Sequence, residues 1–172
     1  MSGHNKWSQI KHQKGAADKK RGLVFGKILK AIAAAARTEP NPEANPRLRS
    51  LVEKAKAEAV PKDTIERAIG KARDGETLEE LVIEAYGPAG IAIMIEAITD
   101  SRNRTVSEIK HLLTKNGGKF AEQGSVRWVF EGTVPKFPQV IGAEDAKQVR
   151  ELVALLEEHD DVQSVITNLA SE

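Results

Sequence analysis

Lysines dominate the opening of the chain. Lys6, Lys11, Lys14, Lys19, Lys20 and Lys27 recur from one turn to the next, Arg21 joins them, and Trp7 and His12 lie in the same stretch. Clustered cations of this kind offer electrostatic chemistry. Each contact with a phosphate of a polyanion releases a counterion and so adds both affinity and salt sensitivity. An aromatic ring inside a basic segment can also stack on an unpaired base, which is of more use on RNA than on duplex DNA. A solvated helix face is the competing explanation, since Lys is the ordinary surface residue. The acids separate the two readings. Residues 1–37 hold nine Lys/Arg and one acid, Asp18, a net charge of +8, whereas a merely soluble face mixes signs. For Trp7 taken alone, packing is the commoner role of so large a ring.

Arg102-Asn103-Arg104 forms a second basic feature, placed before the helix start signal Thr105-x-x-Glu108. Cations at a helix N-terminus are unfavourable by a few tenths of a kcal/mol. Two there make poor sense for stability and better sense for holding an anion that the helix dipole also attracts. A reach from these arginines to Asp100, or to the acidic C-terminal half, explains them equally well.

Catalysis finds little footing. His4, His12, His111 and His159 lie far apart, without metal-ligand spacing. The phosphate-cradling Gly-x-x-x-x-Gly-Lys-Ser/Thr, the dinucleotide Gly-x-Gly-x-x-Gly and the nucleophile-elbow Gly-x-Ser-x-Gly are all missing. Cysteine is absent, which removes thiol nucleophiles, disulfides and Cys-based zinc sites together. Glu157, Glu158, Asp160 and Asp161 read as a solvated helix end rather than a metal site. No enzyme, cofactor or metal is expected.

The elements that must position these residues fall into two groups. Residues 1–15 show no period and read as a basic arm. A helix is predicted over Ala16–Arg37, with Phe25, Ile28, Leu29, Ile32 and Ala36 on one face and Lys19, Lys20, Lys27, Lys30 and Arg37 on the other. Pro40, Pro42 and Pro46 mark a turn, with Pro46 suited to a helix start. Leu48, Leu51, Val52 and Ala55 follow at helical spacing. Pro61 and Asp63-x-x-Glu66 predict a third helix, ended by Gly75. After Gly75 the texture changes. Leu81–Tyr86 and Ile91–Thr99 read as strands around Gly87-Pro88-Ala89-Gly90. A helix carries Val106, Ile109, Leu112 and Leu113. Ser125–Glu131 alternates like a strand with Val126, Trp128 and Phe130 on one face. Residues 132–142 read as a loop, and a helix through Val149–Leu156 and a strand over Val162–Thr167 close the chain.

The expected fold class is therefore α+β. A basic three-helix domain with its arm (1–75) precedes a two-layer, broadly ferredoxin-like domain (76–172), in which two helices cover one side of a small mixed sheet. The 40% apolar and 30% charged composition suits globular domains. The charge split is steep, with residues 76–172 carrying a net −8, as if one end meets a polyanion and the other stays in solvent or meets a protein. No apolar run approaches a membrane span, so no membrane partner and a cytoplasmic location are expected.

Several stretches together resemble the YebC/PmpR family, which includes mitochondrial translational activators. They are Gly3-His4-Asn5-Lys6-Trp7, Ile10-Lys11-His12-x-Lys14, Asp18 to Arg21, Phe25-x-Lys27, Asn45-Pro46-Arg47-Leu48-Arg49 and Pro61-Lys62-Asp63-x-Ile65-Glu66-Arg67-Ala68-Ile69. Tyr86-Gly87-Pro88, Arg102-Asn103-Arg104-Thr105 and Gly124-Ser125-Val126-x-Trp128 complete the likeness, which spans nearly the whole chain in order. Asn5 stands where the family usually has Ser. The loop 132–142 stands where members normally carry a further α/β domain. The resemblance implies a non-enzymatic regulator of gene expression, binding DNA as a transcriptional regulator or ribosomal RNA as a ribosome-associated factor that relieves stalling. Binding would fall on Lys6 to Lys14, on Lys19 to Arg21 and on Arg102 and Arg104. The alternative is a protein-interaction adaptor in which the acidic domain docks a protein and nucleic acid is not touched.

Overall fold

A computed structural model describes residues 3–75 and 77–171, with side chains from Lys11 onward. The chain divides into two compact units, residues 1–75 and 76–172.

The first unit is helical: α1 (Gly3–Ala36), α2 (Pro46–Ala57) and α3 (Lys62–Lys71). Its core gathers Ile28, Ile32, Ala35 and Ala36 of α1, Leu48 and Ala55 of α2, and Ile65 and Ala68 of α3. Those α1 positions repeat at helical spacing, and the alanines let the neighbouring helices approach closely. Asn45 fixes the entry to α2. Its Oδ1 accepts from Leu48 N at 3.0 Å, and its Nδ2 donates to Ala35 O at 3.0 Å and Glu39 O at 2.8 Å. One buried side chain thus caps α2 and ties it to the end of α1. Pro46 occupies the first turn, as expected.

Two expectations here need correction. The segment read as an irregular arm is helix, so α1 begins at Gly3 and not near Ala16. From Lys11 to Gly22 the helix is exposed, and an exposed helix has no apolar period to reveal it. In α3 the residue at the N-cap position is Pro61, with no side-chain cap; Asp63 and Glu66 lie inside the helix, and Glu66 pairs with Lys62 across one turn instead.

The second unit contains β1 (Glu79–Tyr86), β2 (Ala92–Thr99), α4 (Arg102–Lys115), β3 (Lys119–Phe120), β4 (Phe130–Glu131), β5 (Val134–Pro135), α5 (Ala143–Glu157) and β6 (Val162–Thr167). The main sheet has the order β3-β1-β2-β6. β1 and β2 pair in register from Glu79↔Thr99 to Tyr86↔Ala92. Strand side chains alternate between faces. Ile83, Ala85, Ile93 and Ile95 therefore pack together under Ile109 and Leu113 of α4 and Val149, Leu152 and Leu156 of α5. Both helices lie on that face. The opposite face, with Ala92 and Met94, is partly covered by Val126, Val129 and Phe130.

The α+β class and the two layers hold, but three details differ. All pairings in the sheet are antiparallel, so it is not mixed. Its connections run ββαβαβ, whereas a ferredoxin-like chain runs βαββαβ, so that label fits the layers and not the path. The third sheet strand is the two-residue β3, not Ser125–Glu131. Residues Arg127–Val129 form a 3-10 turn, and β4 pairs outside the main sheet with β5, which lies inside the segment 132–142 read as a loop.

Candidate nucleic-acid interface

α1 has two halves of different character. From Ile28 to Ala36 it is core. From Lys11 to Gly22 every residue is exposed, so this part of the helix extends past the packing of its own unit. At about 1.5 Å per residue the 34-residue helix is about 50 Å long. Lys11, His12, Lys14, Lys19, Lys20 and Arg21 all lie in the exposed half, with Asp18 as the single acid. At 100° per residue Lys11, Lys14, Lys19, Lys20 and Arg21 point to all sides of the helix rather than to one. Lys27 sits half-buried, where the core begins. The Arg21 guanidinium lies 5.2 Å from the Phe25 ring centroid and closes the apolar seam at that point. Lys6 and Trp7 fall on the helix backbone, but their side chains lie outside the described residues.

The arginines of the second unit do different work. α4 begins at Arg102, with Ser101 at the cap position, so Arg102 and Arg104 lie in the first turn and not ahead of it. Arg102 pairs with Glu79. Arg104 Nη2 reaches Asp161 Oδ2 at 2.8 Å and Asp100 Oδ1 at 3.0 Å, and its Nε approaches Glu108 at 3.9 Å. The hydrogen bond to Asp161 holds its pKa above the ordinary value. Thr105 Oγ1 donates to Asp161 Oδ2 at 2.6 Å and lies 2.8 Å from Thr99 Oγ1. The positive end of α4 does attract an anion, and that anion is the buried carboxylate Asp161 of the protein itself. Of the two readings of Arg104, the internal one accounts for its geometry.

Glu108, His159 and Asp161 bring ligand atoms within 4.8 Å of one another, a spacing a metal ion could use. Their hydrogen bonds argue otherwise. His159 Nδ1 accepts from Asp161 N at 3.1 Å, which leaves Nε2 to carry the proton, directed at Glu108 Oε2 at 2.8 Å. A metal would need the lone pair of that protonated nitrogen, beside the Arg104 cation. The cluster is an ion-pair network that fastens α4 to the start of β6.

A third constellation went unread in the sequence. Glu84, in mid-β1 on the face away from the helices, is buried. Its Oε1 accepts from Gly124 N at 2.7 Å, and its Oε2 from Val126 N at 2.7 Å and Arg127 N at 3.0 Å. Burial pushes the carboxyl up, but these three bonds and the Arg127 charge outweigh it, and its pKa lies below the ordinary value. Gly124 is in the left-handed region (φ +89°), which aims its N–H at the carboxylate. This clamp sets the Arg127–Val129 turn, and the turn puts Trp128 outside: Val126 and Phe130 are buried while Trp128 is 61% exposed.

A basic helix standing clear of a small helical unit, followed by an acidic two-layer α+β unit, defines a two-unit, charge-divided protein. The description "TACO1/YebC protein N-terminal domain" fits residues 5–75, and "TACO1/YebC second and third domain" fits residues 78–134. A "Probable transcriptional regulatory protein" of Trichlorobacter lovleyi is 55% identical over 135 residues, covering 76% of this chain and 55% of the relative. One of the same name from Petrotoga mobilis is 46% identical over 97% of this chain and 70% of its own length. The crystal structure of a conserved hypothetical protein from Aquifex aeolicus superposes with a TM-score of 0.84 at 32% identity, covering 88% of this chain and 90% of that one. The chain belongs to the YebC family. It spans about half the length of the first curated relatives it matches.

Proposed function

We propose that the protein is a non-enzymatic regulator of gene expression that grips the phosphodiester backbone of a nucleic acid with the exposed half of α1. One observation carries this: from Lys11 to Gly22 the helix is exposed, and its cations point to all sides with a single acid among them. A solubility helix has no need of that bias. A helix ringed by cations suits a place with phosphates on several sides, such as a duplex groove or a cleft in folded RNA. The names of the relatives support a regulatory role. Arg102 and Arg104, bound to the protein's own carboxylates, contribute little to this grip. The acidic second unit remains free to meet a protein, and the short segment 132–142 stands where longer members carry a further domain.

The test has two arms that share one variant. Wild type is compared with Lys11→Ala/Lys14→Ala/Lys20→Ala for cosedimentation with ribosomes and for a shift of duplex DNA against random competitor, each across a salt series. Binding in one arm, weakened in the variant with a flatter salt dependence, supports the reading and names the target. Equal salt slopes for both proteins defeat it. Association that survives high salt points to the adaptor alternative.

A further inference from the structure

The second unit holds an aromatic pair that its own fold leaves uncovered. Trp128 and Phe137 are 61% and 57% exposed, and their ring centroids lie 5.7 Å apart at 53°. They flank the β4–β5 hairpin, and each follows an exposed cation, Arg127 and Lys136. Rings of this size normally bury. Here the backbone holds them out. Glu84 fixes the N–H groups of Gly124, Val126 and Arg127. The Trp128 indole N–H donates to Ser125 O at 2.9 Å, an oxygen that also accepts from the Tyr86 hydroxyl at 3.2 Å. On the other side Lys136 N donates to Val129 O at 2.8 Å, and Asn168 Nδ2 donates to Phe137 O at 3.0 Å. A buried carboxylate is a costly way to hold an exposed tryptophan unless the exposed ring is used.

We propose that Trp128 and Phe137 form a stacking platform for an unpaired base of single-stranded or looped nucleic acid, with Arg127 and Lys136 set against the flanking phosphates. This rests on the nucleic-acid reading above and adds a contact of different chemistry on the other unit. The indole donor is engaged internally, so the ring offers a partner its π face and little else. A base needs only that face, whereas a protein hot spot usually engages the donor as well. The cation before each ring is the charge such a ligand requires. The tilt means a base lies on one ring and meets the edge of the other, a geometry tolerant of base identity. Val134 and Val140 of the same segment are exposed as well, and a second copy of the chain is the competing occupant.

Full-length protein labelled with 5-fluorotryptophan gives a fluorine resonance for each of its two tryptophans, with that of Trp128 assigned by its loss in Trp128→Phe. It is titrated with a uridine-rich RNA of about twelve nucleotides and with an abasic strand of equal length and charge. The expected result is a Trp128 shift with the base-bearing strand and none with the abasic one. Trp128→Ala and Phe137→Ala should each weaken the base-bearing strand about five- to a hundred-fold, the size of one stack, with abasic affinity and salt slope unchanged. A still Trp128 resonance while the RNA is bound, or an equal loss on both strands, overturns the platform and leaves the α1 grip standing. No binding of either strand overturns both. A concentration-dependent Trp128 shift without RNA, matched by a dimer in sedimentation that Trp128→Ala disperses, gives the surface to a second copy and overturns the platform.

Discussion

Replacing Glu84 by Gln tests whether a buried charge organises the outer face of the sheet. The two side chains have nearly the same shape, so packing is preserved and only the acceptors change. A carboxylate serves three N–H groups; an amide offers one acceptor oxygen and turns two donors of its own toward the loop. The best arrangement of the substituted amide keeps its oxygen on Val126 and Arg127 and sets its NH2 against the N–H of Gly124. Gly124 is exposed, so its N–H can turn to water, and that loss costs about 1 kcal/mol, the low end for an unmet donor. The two remaining bonds become neutral, which removes about half the strength of each, about 1 kcal/mol apiece. The expected loss is about 3 kcal/mol. In a urea titration followed at the fluorine resonance of Trp128, with a slope of about 1.5 kcal/mol per molar, the midpoint falls by about 2 M. The pH dependence carries the same signature. Because the folded pKa of Glu84 is depressed, its contribution is full above the unfolded carboxyl value of about 4.3 and is lost as pH falls through the lower folded value. The gap between wild type and variant should thus begin to narrow as pH falls towards the unfolded value and close only below the folded one. A midpoint within 0.3 M of wild type at pH 7 (about 0.5 kcal/mol), or a gap that persists unchanged into acid, would refute the clamp.

Three further outcomes follow from the same geometry. Asn45→Ala removes the α2 cap and both side-chain bonds to the carbonyls of Ala35 and Glu39, so the helical unit should lose about 2–4 kcal/mol, read from the loss of helical circular dichroism in urea. Asp161→Ala strips Arg104 and Thr105 of their shared acceptor; the urea midpoint of the second unit should fall while nucleic-acid affinity stays put, and a binding loss with unchanged stability would restore Arg104 to the interface. Lys11→Ala/Lys14→Ala/Lys20→Ala should leave the unfolding midpoint unchanged, since all three are exposed, while reducing the slope of log affinity against log salt by about 3.

Local signals in the chain foretold much of the frame. The apolar period of Ile28, Ile32 and Ala36, the Pro46 helix start and the turn around Gly87-Pro88 each describe an interaction between near neighbours, and each is present in the structure. Regular alternation misled at Ser125–Glu131. Val126 and Phe130 do face inward, but the 3-10 turn between them swings Trp128 out, and that turn exists because of a residue forty positions earlier. β3 escaped notice because two residues, Lys119 and Phe120, are too few to show a period.

By itself the sequence determined the charge division, the places where chain texture changes and most helix stripes, because these depend on composition and on contacts within a few residues. Tertiary structure alone decided which charges are held internally. Asp161 looks like its neighbours Glu157, Glu158 and Asp160 in the acidic run, yet the fold buries it against Thr105 and Arg104. Glu84 sits in an apolar strand and becomes the anchor of a loop forty residues away. A carboxylate's partner is whatever the fold brings within 3 Å of it, and at long sequence separation no local pattern encodes that distance.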